Sequence, residues 1–136
     1  MSEAVTQRDE LPGFSVLVPY FNEAEFIEAT LDSLCKQSFF PTELILVDNA
    51  STDQSTATAK SFLENHRNDQ VECRFLQEAV PGKAHAMNRG LMEATSEWLV
   101  ICDADTFYPP DYLARAASMI CTAKATPVAL LAVGIS

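Results

Sequence analysis

Two aspartates one residue apart, Asp103 and Asp105, stand in the run ICDADTFYPPDYL, where apolar residues give way to a Pro-Pro step. Alternate residues of a strand share a face, so if the strand runs on through them the two carboxylates point the same way. Hard carboxylate oxygens favour Mg or Mn, and a cation held by one or two of them keeps positions open for diphosphate oxygens. Such a cation would also act as a Lewis acid on a departing diphosphate. A polar strand end explains the D-x-D pair equally well, and in a chain this acidic the pair alone decides nothing.

The same residue types gather after other apolar runs: PYFNE after the first, DNASTD after the second and DADT after the fourth. Asparagines, aspartates and small hydroxyl residues suit a base and a ribose, whereas two phosphates ask for positive charge. The chain as a whole offers little of it, because 19 acidic against 9 basic residues leave a formal charge of -10. That balance repels a nucleic-acid backbone, so no nucleic-acid partner is expected. A phosphate is accepted only where a metal ion or a helix N-terminus supplies the charge. Cys35, Cys73, Cys102 and Cys121 show no CxxC spacing and only two histidines accompany them, which suggests buried thiols rather than a zinc site or a disulfide framework.

The elements that must carry these residues follow from hydrophobic pattern. At 136 residues and 48% hydrophobic content, one domain with a real core is expected. Residues 1–13 are polar, end in Pro12-Gly13 and read as a flexible leader, with the domain over 14–136. FSVLVP, ELILVD and EWLVICD read as strands buried on both faces, and VECRFLQEA as a strand alternating Val71, Cys73 and Phe75 with polar residues. Helices are expected over EAEFIEATLDSLCKQ, with Ile27, Leu31 and Leu34 inward; over STDQSTATAKSFLENH, with Ala57 and Phe62; over GKAHAMNRGLMEAT, with Ala84, Met87, Leu91 and Ala94; and over PPDYLARAASMICTA, with Leu113, Ala116 and Ile120. Asn22 with Glu25, and Ser51 with Gln54, have capping-box spacing. Met87, Met119 and Trp98 are expected in the core, and His85 on a helix surface. The alternation predicts a mainly parallel α/β sheet between helices, with ligands beyond the carboxyl ends of its strands. The acidic start of the chain lacks the apolar core of a signal peptide and no apolar run is long enough to span a bilayer, so a soluble, cytoplasmic protein is expected.

SVLVPYFNEAEFIEATLDSLCKQSFFPTELILVDNASTD followed by PGKAHAMNRGLMEATSEWLVICDADT resembles, in motif order and spacing, the nucleotide-sugar-binding half of a family 2 glycosyltransferase with the Rossmann-like GT-A fold. The resemblance runs from about Phe14 to about Ile120 and implies roles. Pro19, Phe21, Asn22 and Glu23 match the first-strand motif that lines the nucleobase pocket, and Asp48 matches the acid that hydrogen-bonds the base. Lys83 faces the ribose or diphosphate, Asp105 is the direct metal ligand, and Asp103 lies nearer the ribose and sugar, also within reach of the metal. Each has a rival: Asn22 is expected to cap its helix in any case, Asp48 also suits a turn, and Lys83 at a helix start calls for an anion nearby.

Two departures from that family stand out. Asp48-Asn49-Ala50-Ser51 replaces the frequent Asp-Asp-Gly-Ser, and because Ala tolerates a positive φ poorly, a somewhat different turn is expected there. An inverting enzyme of this family also needs a carboxylate base well after D-x-D, yet TAKATPVALLAVGIS holds no Asp or Glu. The base is therefore expected beyond Ser136 and the acceptor-binding part is expected to be missing, leaving a truncated domain in which PVALLAV begins another strand. The expected activity is metal-dependent transfer, with inversion, from a UDP- or GDP-sugar to a saccharide, lipid or protein hydroxyl. The alternative is a non-catalytic nucleotide-sugar or metal-binding module. An exposed sheet edge left by the absent half also predicts association into a homo-oligomer. A dinucleotide oxidoreductase is disfavoured because the glycines never form G-x-G-x-x-G, and a nucleotidyltransferase because PYFNE lacks a Gly-rich, Arg-bearing loop.

Overall fold

The apolar runs become the centre of a sheet. In a computed structural model, which describes residues 13–66, 68–123 and 130–131, the strands are β1 (Phe14–Tyr20), β2 (Glu43–Asp48), β3 (Glu72–Gln77), β4 (Trp98–Ile101) and β5 (Leu130–Leu131). The helices are α1 (Ile27–Cys35), α2 (Ser55–His66), α3 (Lys83–Glu93) and α4 (Tyr112–Ala123). All strand pairs are parallel, in the order β3-β2-β1-β4-β5. The leader, apart from Gly13, lies outside the described residues, as does PVALLAV apart from β5.

Alternation across the sheet assigns the layers. Phe14, Val16 and Val18 of β1, Leu44 and Leu46 of β2, and Trp98 and Val100 of β4 pack with Ile27, Leu31 and Leu34 of α1, Phe62 and Leu63 of α2, and Leu113 of α4. Leu17, Ile45, Val47 and Leu99 turn to the other face and meet Ala86 of α3, with Met87 and Ala94 packed beside it. β1 and β2 are thus buried on both faces, as central parallel strands are, while β3 lies at an edge and is only half covered.

Several helical faces differ from the pattern reading. In α2 the buried positions are Ser55, Ala59, Phe62 and Leu63, while Ala57 is exposed. In α3 they are Ala86 and Gly90, while Ala84 and Leu91 face solvent. The reason for the second is close packing: a Cβ on Gly90 would lie 2.1 Å from Leu17 Cδ1, so the helix rests on the sheet through its smallest residues. Met119 and Cys121 are exposed rather than core, whereas Trp98 is buried and His85 lies on a helix surface as expected. No helix among the described residues is long and apolar enough to cross a membrane.

At the amino ends of the strands sits a buried polar group that the sequence pattern did not reveal. Glu43, on β2, accepts hydrogen bonds from Ser15 Oγ (2.6 Å), Thr95 N–H (2.7 Å) and the Thr95 hydroxyl (3.0 Å), and pairs with Arg74 at 3.2 Å. Burial alone would push its carboxyl up, but these donors outweigh that and hold it below the usual glutamate range. The bonds tie β1, β2, β3 and the turn before β4 together on the side away from the cleft described next.

Candidate functional site

β1 pairs with β4 only from Phe14 to Leu17, but with β2 as far as Tyr20. The Leu17 carbonyl accepts from Cys102 N–H on the β4 side, and the Tyr20 carbonyl from Asn49 N–H on the β2 side, both at 2.8 Å. Because a parallel strand's backbone groups alternate between neighbours, Pro19 faces the β4 side, where pairing has ended and a missing N–H is harmless. Pro19 therefore marks where the two strands part. Strand order reverses at the same place, the crevice in which open α/β sheets take ligands. A cleft of about 600 Å³ opens there, lined by Pro19, Phe21, Glu23, Asn49, Gly82, Lys83, Asp103 and Asp105.

The acidic pair arrives by a turn rather than by a continued strand. β4 stops at Ile101, and beyond it Asp103 and Asp105 are exposed while Ala104 between them is buried. Lys83, the first residue of α3, reaches across the cleft, its Nζ 2.6 Å from Asp103 Oδ1. A cation at a helix N-terminus opposes the helix dipole, and the facing carboxylate supplies the missing anion. Glu23 feels the crowding of acids: burial first, then Asp105, Asp53 and Asp103, push its carboxyl above the ordinary range.

Two polar staples hold the rim. Asn22, with φ of 51°, accepts on Oδ1 from Thr52 N–H (2.8 Å) and Asp53 N–H (3.2 Å), while its own N–H donates to Ser51 Oγ at 2.9 Å. Glu23 N–H donates to Ser55 Oγ (2.7 Å) and Ala24 N–H to Asp53 Oδ2 (3.2 Å), completing the link between the loops after β1 and β2. Asn22 thus caps no turn of α1, which has no side-chain cap, and α2 receives Asp53 rather than Ser51 at its start, through Ser55 N–H at 2.9 Å. The second staple is Asn49, which is buried. Its Nδ2 donates to the carbonyls of Glu78 (3.1 Å) and Val80 (2.8 Å), and its Oδ1 accepts from Gly82 N–H (2.9 Å), so the turn that presents Lys83 hangs from the end of β2. Gly82, with φ of 128°, occupies a conformation that side chains rarely adopt.

Pro19, Phe21, Glu23, Lys83, Asp103 and Asp105 are thus brought around one cleft, and Phe21 is 55% exposed with its ring open to a ligand. Asn22 and Asp48 are not among the residues that line the cleft. Asp48 accepts from Ser51 N–H (2.9 Å) and Thr56 Oγ1 (3.0 Å), which in turn takes the Tyr20 hydroxyl at 2.5 Å, the turn role weighed from sequence. Ala50 adopts φ of 65°, so the turn keeps a left-handed residue even without glycine. Sequence reasoning passed over Asn49 and Gly82, although a polar residue directly after a buried strand and a Pro-Gly step before a helix were both visible.

The donor set suits a hard divalent cation. Exposed carboxylates of Asp103 and Asp105 line the cleft together with Glu23, a concentration of negative charge that such a cation would relieve. Among the described residues no group of three or more His, Cys, Asp or Glu side chains is placed to hold a metal. The chain by itself would then supply one or two oxygens, leaving the rest to water and a diphosphate, which is how Mg is commonly bound.

The sequence model of glycosyl transferase family 2 matches residues 15–132. A PGL/p-HBAD biosynthesis glycosyltransferase of Mycobacterium tuberculosis is 38% identical over 110 residues, covering 80% of this chain and 42% of that protein. A mannosyltransferase from Pyrobaculum calidifontis, solved in complex with GDP-Man and Mn2+, superposes with a TM-score of 0.69 at 35% identity, covering 80% of this chain and 32% of that one. S. aureus TarS in complex with UDP-GlcNAc gives 0.65 at 30% identity, covering 79% and 31%. The chain therefore spans less than half the length of these relatives.

Proposed function

The chain belongs to glycosyl transferase family 2 and has the GT-A fold, and on that footing we propose that it carries the donor site of an inverting, metal-dependent glycosyltransferase. The observation that carries this reading is the meeting of Asp103, Asp105 and Lys83 with the 19–23 loop around one cleft at the strand-order reversal. The nucleobase lies against Phe21 and the loop fixed by Asn22, and the diphosphate lies between the start of α3 and the two aspartates. Binding of that diphosphate draws Lys83 off Asp103, which frees a carboxylate oxygen. Asp105, with Asp103 beside it, would hold Mg or Mn, and such an ion would supply positive charge against that growing on the departing nucleoside diphosphate. The buried wall behind the cleft keeps the aspartates from swinging away. Deprotonation of the acceptor hydroxyl requires a carboxylate base on the far side of the sugar from the leaving group.

A nucleotide-sugar donor is supported by the relatives: GDP-Man is bound by one structural neighbour and UDP-GlcNAc by another. Calorimetric titration of UDP and of GDP into the chain, with and without Mn2+, tests the reading. One of the two nucleotides is expected to bind at least tenfold more tightly with Mn2+, and Asp105→Asn to abolish that gain. Absence of any binding to the wild type, or a gain that survives in Asp105→Asn, would overturn it.

A further inference from the structure

One helix that touches no part of the cleft is bolted to the segment that carries the aspartates. Thr30, Ser33 and Gln37 stand one or two turns apart on the stripe of α1 and its C-terminal extension, and all three are buried, at 1%, 3% and 2% exposure. Each has a backbone partner more than seventy residues away. Thr30 Oγ1 donates to the carbonyl of Ala104, the residue between Asp103 and Asp105, at 2.8 Å. Tyr108 N–H donates to Ser33 Oγ (3.1 Å), whose own proton goes to the Thr30 carbonyl (2.7 Å). Asp103 N–H in turn donates to the Tyr108 hydroxyl at 2.7 Å. Further along, Gln37 Nε2 donates to the Pro109 carbonyl (2.6 Å) and Gln37 Oε1 accepts from Leu113 N–H (2.9 Å).

Buried backbone in a loop must find partners, and satisfying it would be reason enough for polar residues here. The arrangement does more than that. The Asp103 N–H, which enters the acidic pair, and the Ala104 carbonyl, which lies between its two members, are fixed to the same turn of α1, the second directly and the first through Tyr108 and Ser33. A divalent cation such as Mg demands oxygens at nearly ideal positions, and groups that orient its ligands commonly alter affinity by about 10- to 100-fold.

We infer that Thr30 and Ser33, with Tyr108 as the link, are positioning residues that hold Asp103 and Asp105 in the geometry a cation requires, whereas Gln37 fastens the far end of the loop for stability alone. The inference rests on the donor-site reading above. Its test uses the full 136-residue chain, titrated with UDP and GDP with and without Mn2+, alongside thermal unfolding of each variant. Thr30→Val keeps shape and loses the donor; it is expected to cut the Mn2+-induced gain in nucleotide affinity by about 10- to 100-fold while leaving metal-free affinity within about twofold. Thr30→Ser should restore the gain. Gln37→Met should lower the unfolding temperature yet leave the gain within about twofold. Should Thr30→Val fail to fold, Ser33→Ala, which removes the acceptor of Tyr108 N–H, takes its place with the same expectation.

A full Mn2+ gain in Thr30→Val or Ser33→Ala overturns the proposal, as does an equal loss in Gln37→Met, which would reduce the effect to stability. A wild type without any Mn2+ gain overturns the donor-site reading, and this proposal with it. That failure shows in the wild-type arm alone and so is separable from the others.

Discussion

Gly90→Ala is the substitution whose effect can be worked most directly from the packing of α3 on β1. The new Cβ would lie 2.1 Å from Leu17 Cδ1, 2.9 Å from Cδ2 and 3.0 Å from Cγ. Ordinary carbon contacts are about 3.5–4.0 Å, so one partner must retreat by roughly 1.5 Å. Leu17 cannot do so easily, being fully buried among Ile45, Val47, Ala86 and Leu99. So close an approach falls in the upper part of the usual overpacking cost, about 2–3 kcal/mol, and the better helix propensity of alanine returns about 0.8–1 kcal/mol, leaving a net loss of about 1–2 kcal/mol. For a chain of this size that is a drop of roughly 3–10 °C in the unfolding midpoint. Leu17→Ala alone should cost about 2–5 kcal/mol by opening a cavity, but the double variant should cost less than the two together, because the added methyl then has room. A coupling of about 1–3 kcal/mol is expected from urea unfolding of the four proteins. Unchanged or increased stability in Gly90→Ala, or additive effects within about 0.5 kcal/mol, would refute the reasoning.

Three other perturbations test the rim and the buried acid. Ala50→Gly relieves a φ of 65° and should raise stability by about 0.5–1 kcal/mol, the left-handed penalty of alanine less the flexibility of glycine; a lower unfolding midpoint would count against it. Asn49→Asp removes both donations to the Glu78 and Val80 carbonyls and sets a carboxylate against them, at a cost of about 2–3 kcal/mol; unimpaired stability and nucleotide affinity would sink the role given to this staple. Glu43 has a lowered folded pKa, so its stabilisation is complete above the unfolded value of about 4.3 and is lost as pH falls through the folded one. The urea-midpoint difference between wild type and Glu43→Gln should therefore shrink between about pH 5 and pH 3, and a difference independent of pH would contradict the assignment.

The strands were legible because β1 and β2 are buried on both faces and so read as unbroken apolar runs, and the cleft residues because they follow those runs directly. Helix faces were harder. α3 lies on the sheet through Ala86 and Gly90, which carry almost no hydrophobic signal, so the larger Leu91 was assigned inward in their place. Thr30, Ser33 and Gln37 carry no sequence signal of their burial because their partners, Ala104, Tyr108 and Pro109, are remote in sequence. Asn22 has capping-box spacing to Glu25, yet its side chain serves the neighbouring loop, a choice that local pattern cannot distinguish. Asp48 had both a turn role and a ligand role open to it, and its hydrogen bonds fill the first.

The rim of the cleft and the layers beneath it are also held by different forces. Around the cleft, the loops after β1, β2 and β3 are joined by side-chain-to-backbone hydrogen bonds from Asn22, Ser51, Asp53 and Asn49, whereas the layers below them are joined by apolar packing. Detaching those loops exposes little apolar surface, so the free energy of that local opening should depend only weakly on denaturant, unlike that of the strands. In native-state amide exchange, Thr52, Asp53 and Gly82 would then form a low-energy unit of their own, free to breathe around a nucleotide while the sheet beneath stays closed.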